Sequence, residues 1–269
     1  IHSSLRNNIE RTLEWLGWES IVAKNAKVFI KPNFTYPSYK QGVTTSPELL
    51  EAVISVLRER TPHILVGESD GGAYAWRAEE AFKGHRVYEL ADKYGIEAVN
   101  LTQLPREVAT TQIGAKEISV ELPSLLLHGI DVFITMPVPK VHVMTQVSLG
   151  FKNQWGCLPD VKRLRNHPQF TEKVLAINKL LKPKLVIFDG TYFLDCTGPM
   201  DGEAVQMDLL IASNDIGAGS LACCDIMQMD PTRIGHLQKA MEEGMMPRTM
   251  GEVKCNTDVS QFRRHPFTL

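Results

Sequence analysis

Short apolar runs and longer amphipathic stretches alternate along most of the chain. The apolar runs predict buried strands. They cover residues 27–31, 63–67, 131–136 and 184–188. The stretches between them place apolar residues three or four positions apart, as in residues 4–16, which is typical of helices that pack on a sheet. Strands that alternate with helices predict an α/β fold, a mostly parallel sheet with helices on both faces.

Particular residues mark where these elements begin and end. Ser46 followed by Pro47 predicts the start of a helix, because serine caps helix N-termini and proline suits the first helical position. Asp189-Gly190 predicts the end of the fourth strand. The pattern also predicts a helix over 76–95, a hairpin near 107–121, a helical segment over 145–156 and a peripheral polar tail over 258–269. We expect one α/β domain over residues 1–269, with a small subdomain inserted around 140–180.

Composition limits the kinds of partner. The net charge of -2 and the pI near 6.5 argue against a protein that binds nucleic acid through a basic surface. No apolar run is long enough to cross a bilayer, so we also expect no membrane partner. The oligomeric state stays open.

The cysteines are irregularly spaced, and none forms a C-x-x-C pair. They are Cys157, Cys196, Cys223, Cys224 and Cys255. A zinc ribbon and a ferredoxin-type iron–sulfur motif are therefore absent from the sequence. Reduced thiols are typical of cytoplasmic proteins, and we expect that location.

Polar loops follow the predicted strands. They are residues 31–46, 68–72, 137–152 and 189–199. Ligands of parallel α/β sheets bind beyond the carboxyl ends of the strands. We therefore expect these loops to meet at one site.

The third loop carries the candidate catalytic residues Lys140, His142 and Lys152. On an extended segment Lys140 and His142 project to the same face, and histidine can transfer a proton near neutral pH. Lysines crowded in one pocket also lower one another's pKa, which would make one of them a usable base. The candidate substrate-binding residues are the other polar and basic positions of these loops. They are Lys31, Asn33, Thr44, Thr45, Ser46, Asn153, Lys162, Arg163 and His167.

Three acidic residues complete the predicted site. Glu68, Asp70 and Asp189 follow strands and could hold a divalent metal or act as acid and base. Ordinary turn hydrogen bonds explain such aspartates equally well. The sequence leaves the cofactor unknown, with a divalent metal as one option.

At these loops the chain resembles the DUF362 family, a domain of unknown function. The similarity rests on Lys31-Pro32-Asn33, Ser46-Pro47-Glu48, Pro139-Lys140 with His142 and Thr145, Leu149-Gly150-Phe151-Lys152-Asn153, the later Lys162 and His167, Asp189-Gly190 and Gly198-Pro199. It covers nearly the whole chain and implies no reaction. Many members resemble iron–sulfur proteins because they carry an added ferredoxin-like cysteine module, which this chain lacks. Asp195-Cys196-Thr197 also stands where the family has a turn rich in glycine and asparagine, which implies a different ligand.

Three functions fit these observations. The first is an enzyme that acts on an anionic small molecule, a carboxylate or phosphate, in a pocket rich in lysine and histidine. The second is a redox protein that depends on a metal or an iron–sulfur cluster. The third is a non-catalytic binder of a nucleotide or an organic acid.

Overall fold

A computed structural model describes the backbone of residues 2–269, and the side chains of all these except residues 2, 3, 74, 164, 166 and 167. The strands are β1 (Val28–Pro32), β2 (Ile64–Glu68), β3 (Glu97–Asn100), β4 (Arg106–Ile113), β5 (Lys116–Pro123), β6 (Val132–Met136), β7 (Lys140–His142), β8 (Gln146–Ser148), β9 (Leu185–Asp195) and β10 (Glu203–Ser213). The helices are α1 (His2–Trp15), α2 (Trp18–Ile21), α3 (Pro47–Leu57), α4 (Ala78–Gly84), α5 (Val87–Tyr94), α6 (Ser124–His128), α7 (Gly150–Asn153), α8 (Phe170–Leu181), α9 (Ile216–Met227) and α10 (Gly235–Glu242).

An eight-stranded, mostly parallel sheet forms the centre of the molecule. Its order is β3-β2-β1-β6-β9-β7-β8, and β10 pairs with β9. Strand β1 runs parallel to both of its neighbours, with Phe29 opposite Leu65 on one side and Phe133 on the other. Antiparallel pairing is confined to the β9–β10 and β7–β8 pairs in this sheet, and β4–β5 forms a separate hairpin. The predicted α/β fold is confirmed.

Alternate residues of the strands enter two separate cores. Val28 and Ile30 pack with residues of α1, α3, α4 and α5. Phe29 and Phe133 lie on the opposite face, with residues of α8, α9 and α10. Because successive side chains of a strand point to opposite faces, helices on both sides explain why the strands carry continuous apolar runs.

The fourth predicted strand does not end at Asp189-Gly190, as the sequence suggested. Strand β9 continues to Asp195, because β10 pairs with it along both halves. Gly190 lies opposite Leu209, and a Cβ there would come within 2.5 Å of the Leu209 carbonyl oxygen. The glycine therefore permits close backbone approach inside the sheet, where the sequence indicated a turn.

Other boundaries also differ from the predictions. The helix over 76–95 is two helices, separated at Arg86, whose φ of 61° is left-handed. The segment over 145–156 is only partly helical, because β8 precedes α7. The tail is not wholly peripheral: the Phe267 side chain is buried, and its backbone N–H donates to the Met227 carbonyl. Over residues 2–269, no helix combines the length and the apolar character that a membrane crossing requires.

Candidate functional site

A cleft of about 130 Å³ opens at the carboxyl ends of β1 and β2. Its walls come from three parts of the chain: the end of β1, the loop after β2, and the segment that begins with α7. The lining residues are Lys31, Asn33, Phe34, Thr35, Glu68, Ser69, Asp70, Gly71, Gly72, Trp76, Ser148, Lys152, Asn153, Trp155, Gly156 and Arg163. The loops after β1 and β2 and the segment after β8 therefore meet, as expected, but the fourth predicted loop, residues 189–199, contributes no residue to the lining.

A buried ion pair borders this cleft. The Lys31 Nζ lies 2.6 Å from Glu68 Oε2, and both side chains are almost wholly buried. Glu68 also accepts from the backbone N–H groups of Ser69, at 2.9 Å, and Phe34, at 3.3 Å. Gly156 covers the pair, and a Cβ at this position would lie 3.0 Å from Glu68 Oε1 and 3.1 Å from Lys31 Nζ. The two charges therefore neutralise each other under a close-fitting backbone.

Lys152 occupies a different electrostatic position in the same cleft. Its side chain is part-buried, and its ammonium has no hydrogen-bond or ion-pair partner among the described residues. Burial lowers the pKa of Lys152 to about 8, and the positive charge of Arg163 adds to the effect. At neutral pH this lysine is therefore mostly charged, and no counter-ion for it lies among the described residues. Its pKa lies about one unit above neutral pH, so it can gain or lose a proton near that pH.

Two more donors on lining residues lack partners. Trp76 Nε1 and Arg163 Nε are buried, and neither has an acceptor in the described part of the structure. Arg163 also donates from Nη2 to the carbonyl oxygen of Asp70. Buried N–H groups are nearly always paired. Because both atoms are buried, they add positive potential beside the Lys152 ammonium and are not themselves accessible to a ligand in the cleft.

Lys140 lies behind the lining and is fully buried. Its Nζ donates to Asn33 Oδ1 at 2.8 Å and to the carbonyl oxygen of Val43. Burial lowers the pKa of Lys140 well below its usual range, and the charge of Lys152 contributes. Of the three predicted catalytic residues, only Lys152 lines the cleft.

His142 is buried on the β7–β8 hairpin, away from the cleft lining. Its Nδ1 accepts from the backbone N–H of Met144 at 3.1 Å, and the residue has further contacts. This arrangement holds the hairpin turn. We therefore withdraw His142 as the acid–base group.

The N-terminus of α3 is filled by the protein itself. Asp189 accepts from the Ser46 backbone N–H at 2.7 Å and from Ser46 Oγ at 2.6 Å. Thr45 Oγ1 donates to the carbonyl oxygen of Met136, and Thr44 Oγ1 accepts from the Lys40 backbone N–H. The Asp189 carboxylate therefore occupies the place at the helix N-terminus where an anionic ligand could otherwise bind. Thr44, Thr45 and Ser46 therefore leave the set of candidate substrate-binding residues.

Two of the three predicted metal ligands, Glu68 and Asp70, line the cleft, and all three carboxylates are hydrogen-bonded to other groups of the protein. Asp189 is taken by Ser46, Glu68 by Lys31, and Asp70 Oδ1 by the backbone N–H of Ala78 and by Asn100, each at 2.9 Å. Within the described residues, no group of three or more His, Cys, Asp or Glu side chains is placed to hold a metal ion.

Asn153 lines the cleft, but its side-chain amide donates to buried groups of the interior. Its Nδ2 donates to the carbonyl oxygen of Lys31 at 3.0 Å and to Thr135 Oγ1 at 2.8 Å. Thr135 in turn donates to Gln154, which donates to Asn178. Because this buried chain of hydrogen bonds ties α7 to β1, β6 and α8, it fixes the backbone that carries Lys152.

Two predicted substrate-binding residues remain, Lys162 and His167. Lys162 is exposed and does not line it. The side chain of His167 lies outside the described residues. The sequence reasoning in turn missed Trp76, Trp155, Phe34 and Ser148, because no motif or spacing distinguishes such side chains from ordinary core and loop residues.

Comparison with known proteins agrees with the fold. The family model described as "Domain of unknown function (DUF362)" matches residues 28–225. The thylakoid-associated protein sll1697 of a Synechocystis species is 26% identical over 253 residues, which are 91% of this chain and 76% of that protein. The lactate racemase apoprotein from Thermoanaerobacterium thermosaccharolyticum is similar in structure, with a TM-score of 0.54 and 14% identity. That similarity covers 83% of this chain and 55% of the racemase, so this chain corresponds to about half of the solved protein.

Proposed function

We propose that this chain, which belongs to the DUF362 family, binds a small carboxylate or phosphate in the cleft and exchanges a proton with it through Lys152. The observation that carries the proposal is the part-buried Lys152 ammonium, which has no acceptor among the residues that the structure describes. Partial burial without a counter-ion from those residues destabilises this ammonium, as its lowered pKa indicates. An anionic ligand would supply the missing counter-ion.

The other polar groups of the cleft support an anion over a cation. The Glu68 carboxylate is already neutralised by Lys31, and Asp70 is hydrogen-bonded to Ala78 and Asn100. Trp76 Nε1 and Arg163 Nε are buried donors that lack an acceptor among the described residues and add positive potential. Charge-assisted hydrogen bonds to carboxylate or phosphate oxygens are the strong ones.

The size of the cleft favours a small ligand. Its volume of about 130 Å³ is below the ~300–1,000 Å³ of pockets that enclose drug-sized molecules. An organic acid of a few carbon atoms, or a phosphate group, fits this volume better than a whole nucleotide. The volume of the cleft therefore supports a small anionic ligand over a whole nucleotide.

Lys152 is the group best placed for acid–base chemistry. A general acid or base works best when its pKa lies near the working pH. The pKa of Lys152, lowered to about 8, meets that condition. The pKa of Lys140 is also lowered by burial, but its amine is fully buried behind the lining. The similarity to the racemase apoprotein supports the fold only. Cytoplasmic location and the absence of nucleic-acid and membrane partners stay predictions.

A thermal-shift titration tests the proposal. We expect inorganic phosphate or malonate to raise the Tm at constant ionic strength, because a ligand that binds only the folded state stabilises it. Chloride at equal ionic strength is the control. If neither anion raises the Tm above chloride at tens of millimolar, the cleft is not an anion site.

Binding alone does not show proton exchange. Incubating bound carboxylates in deuterated water and measuring deuterium uptake at carbon separates an enzyme from a non-catalytic binder. Uptake that is present in wild type and absent from Lys152→Met, even at carboxylate concentrations that saturate the variant, supports the catalytic part of the proposal. Tight binding without any uptake across a panel of carboxylates would leave a binder only.

A further inference from the structure

Asn33 lines the cleft, and its amide is held from behind. Asn33 Oδ1 accepts from Lys140 Nζ at 2.8 Å, and its backbone N–H donates to Thr45 Oγ1 at 2.8 Å. Thr45 Oγ1 donates in turn to the carbonyl oxygen of Met136. The residue is therefore fixed at both its backbone and its side chain.

The nitrogen of the same amide is not engaged by any residue that the structure describes. Among the described residues, nothing accepts from Asn33 Nδ2, although a side-chain amide carries two N–H donors. The oxygen is engaged by Lys140, so the nitrogen is the end of the amide left for a ligand. An asparagine free to rotate could present either its oxygen or its nitrogen to the cleft.

We propose that Lys140 is a positioning residue, which holds the Asn33 amide so that Nδ2 donates to the anion and the cleft selects acceptor oxygens. This inference rests on the proposed function, and it names the pair of residues that gives the cleft its preference for acceptor oxygens. Lys140 is suited to the task because it is fully buried and its other hydrogen bond goes to the Val43 carbonyl, which can only accept. It has an N–H to donate to Asn33 whether it is an ammonium or an amine.

The lysine would act through Asn33 and not by contact with the ligand. Lys140 is absent from the cleft lining, whereas Asn33 is part of it. Two residues that act through one hydrogen bond are strongly non-additive when both are removed. Non-additive losses of affinity would therefore distinguish a positioning role of Lys140 from direct binding of the ligand and from a general loss of structure.

A double-mutant cycle on phosphate affinity is the test. Wild type, Lys140→Met, Asn33→Ala and the double variant are titrated with inorganic phosphate near pH 7, with binding followed by the fluorescence of Trp76 and Trp155, which line the cleft. We expect each single variant to weaken binding by about tenfold, the loss of one charge-assisted hydrogen bond. The double variant should bind no more weakly than Asn33→Ala. Losses that multiply to about a hundredfold, or a Lys140→Met variant with wild-type affinity, would overturn the positioning role.

A second variant does not depend on how well Lys140→Met folds. Asn33→Asp keeps an oxygen that accepts from Lys140 and lacks the N–H donor. It should hold or raise the Tm and lose phosphate binding by at least tenfold, whereas wild-type affinity in Asn33→Asp would refute the inference. If wild type itself does not bind phosphate or malonate, the proposed function fails. If it binds and only the cycle is additive, the positioning role alone fails.

Discussion

The Lys31 ammonium and the Glu68 carboxylate lie 2.6 Å apart, almost wholly buried beside the cleft. Removing one partner of such a pair leaves the other charged and buried. We expect Glu68→Gln to lower the free energy of unfolding by about 3–5 kcal/mol, measured by urea denaturation. Glu89→Gln is the matched control, because the Arg86–Glu89 pair is exposed and such pairs contribute about 0–1 kcal/mol. Equal effects of the two substitutions would contradict the role assigned to the buried pair.

Lys152→Met should make the protein more stable while it removes the anion site. The substitution eliminates an ammonium that burial destabilises, and gains of about 0.5–2 kcal/mol are typical of such changes. In the unfolded chain this lysine has a pKa near 10.5, and in the folded protein the pKa is about 8. The gain should therefore be complete below about pH 8 and shrink as the pH rises toward 10.5. Urea denaturation at several pH values checks this, and a destabilised variant at pH 7 would contradict it.

Asp189→Asn should weaken the fold without changing anion binding. The carboxylate accepts both the N–H and the Oγ–H of Ser46 at the start of α3, and hydrogen bonds to a charged group contribute about 1.5–3 kcal/mol. We expect a loss of about 1–3 kcal/mol in unfolding free energy, with phosphate affinity unchanged within twofold. A large drop in phosphate affinity at unchanged stability would contradict this and would indicate that Asp189 belongs to the binding site.

His236 should make the protein sensitive to acid. Burial lowers the pKa of His236 to about 3, and the Lys152 charge adds to the effect. The unfolded chain takes up this proton below about pH 6.5 and the folded protein does not. Stability should therefore fall by about 1 kcal/mol per pH unit as the pH drops from 6.5 toward 3. His236→Phe keeps an aromatic ring against Phe170 and should flatten that part of the stability profile, whereas an unchanged slope would assign the effect to other groups.

The positions of the main strands and helices along the chain were open to prediction, because apolar spacing is a local property of the sequence. Ser46 with Pro47 gave the start of α3 correctly for the same reason. The extension of β9 was not predictable in this way. Gly190 has the same local signature in a turn and in a closely paired strand, and only its contact with Leu209 distinguishes the two.

The candidate site was also predictable from the sequence only in part. The topology brought Lys31, Glu68 and Lys152 to one edge of the sheet, as expected from strand ends alone. What the sequence could not give is which groups neutralise one another. Asp189 meets Ser46 across a separation of 143 residues, and Glu68 meets Lys31 across 37. Once those pairs are known, Lys152 remains as a lysine of the cleft lining with no acceptor among the described residues.

Malonate affinity measured across pH, on wild type and on Lys152→Met, decides whether Lys152 holds the anion. Malonate keeps both charges from about pH 7 upward, so the titration reports the protein. Wild-type affinity should be nearly constant below about pH 8 and then weaken toward tenfold per pH unit as Lys152 loses its proton. Lys152→Met should bind at least tenfold more weakly near pH 7 and show no such decline. Equal affinity of the two proteins near pH 7, or a wild-type affinity that does not change between about pH 7 and 10, would contradict the assignment.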